Sequence, residues 1–267
     1  MSGWSNLKQL PEQLGELKGL QRLDASCTSI EELPDSIVEL KKLVYLNLSW
    51  CEKLRKLPEQ FGNMEGLKTF DAAESAIEQL PDSFSNLLNL VHLNLRKFRD
   101  CTNLQDFPDL SMLRDLEQLE VTRNGSNLKV SLEKNHLQLR SDYLSTFRAS
   151  LPNKEIAEWF DYKNRGGCTL SFDIPPNLGD HFVGVALWVV RKCSYEGWSK
   201  LEAFITNETE DTRTAPISIG LNYDREGDVQ SSIHCIRADD ISIQSGDKIM
   251  ISYPQAGVNL CGAHILK

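Results

Sequence analysis

The sequence predicts a short solenoid of parallel strands, α/β in class and shaped as a short horseshoe, followed by an all-β sandwich. Three observations predict it. The dipeptides Leu10-Pro11, Leu33-Pro34, Leu57-Pro58 and Leu80-Pro81 recur at steps of 23, 24 and 23 residues, and Phe107-Pro108 follows after 27. Each stands at the same point of an L-x-x-L-x-L pattern, and self-similarity at about 20 to 29 residues marks a stack of single-strand coils, none of which buries its own leucines. Past Leu132 the period vanishes, and from Cys168 short apolar runs separated by Gly, Pro and Asp turns take over, the texture of antiparallel sheets. Residues 1–132 therefore read as leucine-rich repeats, about five with the first incomplete, residues 133–150 as a junction, and residues 151–267 as the β-sandwich.

Each coil is justified by the direction of its side chains. Leu20, Leu23 and Ala25 repeat as Leu43, Leu46 and Leu48, as Leu67, Phe70 and Ala72, as Leu90, Leu93 and Leu95, and as Leu116, Leu119 and Val121. These point inward, so the alternate residues form the open face, because side chains along a strand have a period of two. That face is the candidate partner-binding site. Its first column is Arg22, Tyr45, Thr69, His92 and Gln118, and its second is Asp24, Asn47, Asp71, Asn94 and Glu120. A third is Ser26, Ser49, Ala73, Arg96 and Thr122. The second column is acidic or amide in every coil, which suits a basic patch on a partner. Lysine at Asp71 and Glu120 is accordingly expected to abolish binding without unfolding the chain.

The turn after each strand needs a buried polar group for neighbouring backbone, and Thr28, Cys51, Ser75 and Asn124 occupy it. In the fourth coil either Phe98 or Cys101 fills the turn. Cys101 is preferred, because the spacing from Cys101 to Pro108 copies that from Cys51 to Pro58. The prolines are outer-side punctuation, where a missing N–H costs little. After them Glu12 to Leu17, Asp35 to Leu40, Glu59 to Met64 and Asp82 to Leu87 begin with an acid and carry apolar residues at helical spacing, predicting one helical turn per coil. Asn6 to Pro11 matches the second half of a coil, and the ends of a solenoid need polar caps. Further coils upstream are expected, with the apolar end of the stack exposed without them.

In the second half, Thr169 to Ile174, Phe182 to Val190, Leu201 to Thr206, Pro216 to Leu221, Ser232 to Ile236, Asp240 to Ile243 and Lys248 to Tyr253 read as strands, with Phe182 to Val190 buried on both faces. The stretch Asn207 to Ala215 reads as a mobile contact loop. Trp188 belongs to the core, Trp159 and Phe160 read as a plug of the corner between the two parts or else as a partner anchor, and Trp50 and Trp198 are the exposed aromatic candidates.

Composition narrows the function. Acidic residues exceed basic ones in both parts, 20 Asp and Glu against 15 Lys and Arg over residues 1–132 and 18 against 14 over 133–267. The global basic field of a nucleic-acid binder is missing. The longest apolar run, Phe182 to Val190, is too short to span a bilayer, and no secretory signal opens the chain. Seven cysteines without close pairing fit a reducing compartment.

Three sequons, Asn47-Leu48-Ser49, Asn124-Gly125-Ser126 and Asn207-Glu208-Thr209, would suit an extracellular repeat receptor or inhibitor if glycosylated. An enzyme on the sandwich is a further alternative. Cys261, His264, His234 and Cys235 could supply four metal ligands or a Cys-His nucleophile, but the spacing matches no recurrent zinc motif. No cofactor is expected.

The order Leu151-Pro152, Glu158-Trp159-Phe160, Gly166-Gly167, Thr169 to Pro176, Phe182 to Val190 and Cys261-Gly262-Ala263-His264-Ile265 resembles the post-repeat jelly-roll or Ig-like (C-JID) domain of plant TIR-type nucleotide-binding leucine-rich-repeat resistance proteins. The Leu-Pro coils resemble the same family's array, so the resemblance covers nearly the whole chain. It implies a non-catalytic sensor in the cytoplasm or between cytoplasm and nucleus, in which repeats and post-repeat domain recognise a pathogen effector or contact the receptor's own nucleotide-switch (NB-ARC) and TIR domains. No G-x-x-x-x-G-K-[ST] phosphate loop occurs. The resemblance thus assigns this chain recognition and leaves signalling to other domains.

Overall fold

The computed structural model divides into two units, Met1–His136 and Leu137–Lys267. It describes residues 6–96, 113, 115–121, 148–151, 156, 158, 160–192, 197–223, 229–254 and 258–266, and the side chains of 148–151, 180, 197–200, 220–223 and 230 are not described. The division falls in the segment read as a junction. Like Phe98, Cys101, Thr122, Asn124 and Trp159, that point lies outside the described residues.

The first unit is a ladder of one strand per coil: β1 Arg22–Asp24, β2 Tyr45–Asn47, β3 Thr69–Asp71, β4 His92–Asn94 and β5 Gln118–Glu120. Every neighbouring pair is parallel, and Leu23, Leu46, Phe70, Leu93 and Leu119 stand in line across all five. From Leu46 onward these central residues are buried, whereas Leu20 and Leu23 of the first coil are half-buried. One apolar residue per strand would be a weak strand in isolation. Stacked, the five form a continuous interior, which is why stability in such arrays resides between coils. In the middle of the stack Phe61, Phe70 and Phe84 fill that interior, with ring centroids 5.1 to 6.0 Å apart.

The outer side differs from the helical turns expected. Glu12–Glu16, Asp35–Glu39, Phe61–Asn63 and Asp82–Asn86 are 3-10 turns, so the α part of the α/β expectation is absent from the described coils. A coil of about 23 residues that opens with proline leaves room for one tight turn, and each ends on i to i−3 bonds such as Leu40 N to Ile37 O at 3.1 Å. Adjacent turns interlock. Ser36 Oγ donates to Glu12 O at 2.6 Å and Ser83 Oγ to Glu59 O at 2.6 Å, while Gly62 N donates to Ser83 Oγ at 3.0 Å. A Cβ on Gly15 or Gly62 would overlap the Ser36 or Ser83 carbonyl oxygen, so glycine is required by close approach.

The turn position behaves as its chemistry suggests. Thr28 Oγ1 donates to Ala25 O at 2.8 Å, Cys51 Sγ to Ala25 O at 3.2 Å and Ser75 Oγ to Ala72 O at 2.7 Å. All three side chains are buried. Cys51 is thus a coil-to-coil staple, and burial, the largest effect, pushes its thiol up.

The second unit holds two antiparallel sheets. In the first, β6 Arg148–Leu151, β13 Val229–Arg237, β9 Gly184–Lys192, β15 Val258–Leu266 and β7 Tyr162–Arg165 lie in that order. In the second, β8 Thr169–Asp173, β14 Lys248–Ser252 and β10 Gly197–Asn207 follow one another, and β11 Thr212–Arg213 and β12 Ile217–Tyr223 both pair with β10. One apolar cluster lies between them, with Leu170, Phe172, Ile205, Ile249 and Ile251 from one sheet against Val185, Leu187, Val189, Ala263 and Ile265 from the other. As the continuous apolar run predicted, β9 is buried on both faces from Gly184 to Val190.

Two sequence expectations change here. Asp240 to Ile243 is not a strand: Ala238–Ile241 forms a helical turn, α1, closed by Ser242 at φ 50°. Two adjacent aspartates at a helix start favour that outcome over a strand. The junction ends earlier than residue 150, because β6 begins at Arg148. Separately, the Asn207 to Ala215 stretch is a hydrogen-bonded hairpin, in which Asn207 Oδ1 accepts from Thr209 N at 2.9 Å and Glu210 N at 3.2 Å.

A candidate protein-interaction face

The parallel ladder brings the open-face residues of all five coils into register. Arg22, Tyr45, Thr69, His92 and Gln118 are consecutive ladder partners, and so are Asp24, Asn47, Asp71, Asn94 and Glu120. None of these ten is fully buried. Neighbouring strands lie about 4.8 Å apart, so each column is a straight row of side chains at a fixed pitch.

The two columns do different work. In the second, Asp24 Oδ1 accepts from Ser26 N at 3.0 Å, Asn47 Oδ1 from Ser49 N at 2.9 Å, Asp71 Oδ1 from Ala73 N at 2.9 Å and Asn94 Oδ1 from Arg96 N at 3.2 Å. These are Asx turns, in which the short polar side chain replaces a backbone acceptor. They let the chain leave the strand and enter the left-handed conformation of Cys27, Trp50 and Glu74, with φ of 57°, 61° and 59°. The recurrence of Asp and Asn therefore has a backbone cause. Asn94 Nδ2 also donates to Asp71 Oδ2 at 3.2 Å, tying two coils. Hydrogen bonding from Ser26, the largest effect, holds the Asp24 carboxyl below its usual range.

Glu120 stands apart, paired with Arg96 at 3.5 Å. The lysine test framed on the sequence consequently mixes two effects at Asp71, since Lys there also removes the turn acceptor. Among the described residues the first column makes no such bond: Arg22 stacks on the Tyr45 ring at 3.6 Å, and Tyr45, Thr69 and His92 are half-exposed. Beside it Val44 is 39% exposed, and on the far edge Trp50 is 47% exposed, as its turn-like setting suggested. The side chain of Trp198 is not described. Sequence reasoning passed over Val44, and its place directly before Tyr45 was the available signal.

The residues considered for chemistry are dispersed. Cys261 and His234 point into the apolar core between the sheets, while Cys235 and His264 point to the opposite face of their sheet. Cys235 and His264 both stand opposite Ala186, one on each side of β9. Two strand spacings, about 10 Å, separate them. No group of three or more metal-binding side chains is found among the described residues. His264 Nδ1 instead meets Asp161 Oδ2 at 2.8 Å, and Phe160 packs edge-on against Trp188 at 5.2 Å. Phe160 is therefore part of the packing of the second unit.

The sequons divide as well. Asn207 is 2% exposed and its Nδ2 donates to Asp247 Oδ2 at 2.7 Å, so the atom a glycan would occupy is already used inside the fold. Asn47 is held in its Asx turn. Asn124 lies outside the described residues. Among the described residues no helix is long and apolar enough to cross a membrane.

The in-register coils, buried turn residues and open strand face define a leucine-rich-repeat protein. The relatives are plant disease resistance proteins. A probable disease resistance protein of Arabidopsis thaliana is 51% identical over 49 residues, 18% of this chain and 5% of the relative. Disease resistance proteins UNI and RFL1 of the same plant are 47% and 49% identical over 49 residues, 18% of this chain and 6% of each. The matched stretch thus spans about a twentieth of those relatives. No protein-family model matches. A leucine-rich-repeat protein of Leptospira interrogans superposes with a TM-score of 0.30 at 26% identity, over 42% of this chain and 34% of that one. Over those 49 residues the chain is thus similar to plant disease resistance proteins.

Proposed function

We propose that this chain is the recognition part of an intracellular plant immune receptor of the TIR nucleotide-binding leucine-rich-repeat class, and that it is not an enzyme. The second unit is its post-repeat jelly-roll or Ig-like domain. The open face of the repeats binds a pathogen effector or the receptor's own nucleotide-switch domain, in the cytoplasm or nucleus, and takes no cofactor. One observation carries this reading: the column Arg22, Tyr45, Thr69, His92 and Gln118 is presented in register and, among the described residues, makes no side-chain hydrogen bond to the coil backbone of the kind the second column makes. A straight row with an aromatic and a stacked guanidinium has the composition of an interface anchor. The resistance-protein relatives supply the biological class.

The test is a calorimetric titration of the full chain with the receptor's nucleotide-switch domain and, separately, with candidate effectors. Tyr45→Ala combined with His92→Glu should weaken binding about tenfold or more, about 1.4 kcal/mol, at an unchanged melting temperature. Equal affinity of the variant and the parent for a partner that binds would sink the face assignment. The extracellular alternative gains nothing from Asn207, whose amide is committed to Asp247.

A further inference from the structure

The turn that carries the chain from β7 to β8 ends on Cys168. Cys168 stands one residue before β8, at the start of the row in which Leu170 and Phe172 are buried between the two sheets. It stands at the open end of that row and is exposed. From the opposite sheet Cys261 shares the inward direction of Ala263 and Ile265 and is fully buried. Its Sγ donates to the Gly167 carbonyl oxygen at 3.7 Å, so the thiol rests against the peptide unit that joins Gly167 to Cys168. Cys168 is fixed there, because its carbonyl oxygen accepts from Tyr253 N at 2.7 Å. An exposed thiol and a buried thiol thus lie at one end of the β unit, the second resting against the carbonyl that immediately precedes the first, and among the described residues no backbone ladder joins β8 to β15.

We propose that Cys168 and Cys261 form a redox pair, in which Cys168 reacts with hydrogen peroxide and Cys261 resolves the product as a disulfide that ties the start of β8 to β15. In the first step the Cys168 sulfur attacks one peroxide oxygen, the O–O bond breaks, sulfur loses two electrons to become a sulfenic acid, and the other oxygen leaves as water after taking a proton. In the second the Cys261 sulfur attacks the Cys168 sulfur, the S–O bond breaks, and a second water leaves with the Cys261 proton. The division of labour follows from access. Cys168 is exposed and Cys261 buried, so peroxide reaches Cys168 first; burial also pushes the Cys261 thiol up to about 11, so its proton passes to the departing hydroxyl as the disulfide forms. Cys51 gives no comparable pair with the exposed Cys27, since its sulfur is turned into the coil toward Ala25 O.

The full chain is treated with a small excess of hydrogen peroxide, unreacted thiols are blocked with an alkylating reagent under denaturing conditions, and the unreduced digest is read by mass spectrometry. The expected product is the Cys168 peptide joined to the Cys261 peptide, lighter than their sum by one pair of hydrogens and separated by a reductant. Cys168→Ser, a change at an exposed site, should leave Cys261 fully alkylated after the same treatment. Cys168 advancing to sulfinic acid while Cys261 remains alkylated, or Cys168 joined to any other cysteine, would overturn the pairing.

Discussion

Asp71 shows how one short side chain can serve the fold and resemble a ligand site at once. Its Oδ1 accepts from Ala73 N and its Oδ2 from Asn94 Nδ2. Asp71→Ala should therefore cost about 1 kcal/mol, the net worth of such bonds, while Asp71→Asn keeps the turn acceptor and most of the stability. Urea denaturation of the two variants distinguishes these outcomes. Asp24 carries the same logic into pH. Its folded-state carboxyl is lowered by Ser26, so its contribution is fully present above the ordinary carboxylate range and fades as pH falls through the lowered value. Asp24 is exposed, so the effect is small. Stability curves of the parent chain and Asp24→Asn should run parallel at neutral pH and converge only in acid. Parallel curves down to pH 2 would show that the Ser26 bond contributes nothing.

At the scale of the element, the coil is too short to stand alone, and its neighbours supply what it lacks. Gly62 lies so near Ser83 that a methyl group has no room. Gly62→Ala is expected to destabilise by about 2 kcal/mol, within the usual cost of overpacking. Phe70→Ala opens a cavity between Phe61 and Phe84 and should cost about 3 to 5 kcal/mol. Chemical denaturation measures both, and a smaller loss at Phe70 would mean that adjacent coils collapse into the space. In the β unit, the Asn207 amide and the Asp247 carboxylate satisfy each other while buried. If the chain is expressed through a secretory pathway, Asn207 should remain unglycosylated in folded protein, as intact mass and peptide mapping will report.

Across the whole molecule the formal charge is −9 and both parts are acidic. Duplex DNA at about 50 mM salt should accordingly not retain the chain, because phosphate neutralisation supplies most non-specific affinity. Retention would reveal a basic surface that the composition conceals. A protein partner that meets the open face would instead show a salt dependence set by local pairs around Arg22 and Arg96.

The coil period, the inward leucines and the turn positions Thr28, Cys51 and Ser75 were legible in the sequence, because a stack returns each side chain to the same direction at every step. The buried run of β9 was legible for a related reason, since a strand covered on both faces loses alternation. The register of the ten open-face residues was legible, but not the division of work among them. Asp and Asn recur in the second column because the backbone leaves the strand there, and a letter pattern records the recurrence without its cause. Short segments were the least legible: β6, β7 and β11 carry little apolar pattern, and α1 was read as a strand.

By itself, the sequence determined that single-strand coils must stack and that one row of polar side chains must remain outside, because leucines at that spacing have no other place to be buried. Only the tertiary structure decided which members of that row are bound to backbone, which asparagine is sealed against Asp247, and which cysteines share one end of the β unit. Those outcomes depend on approaches between residues far apart in the chain, and no local periodicity encodes such distances.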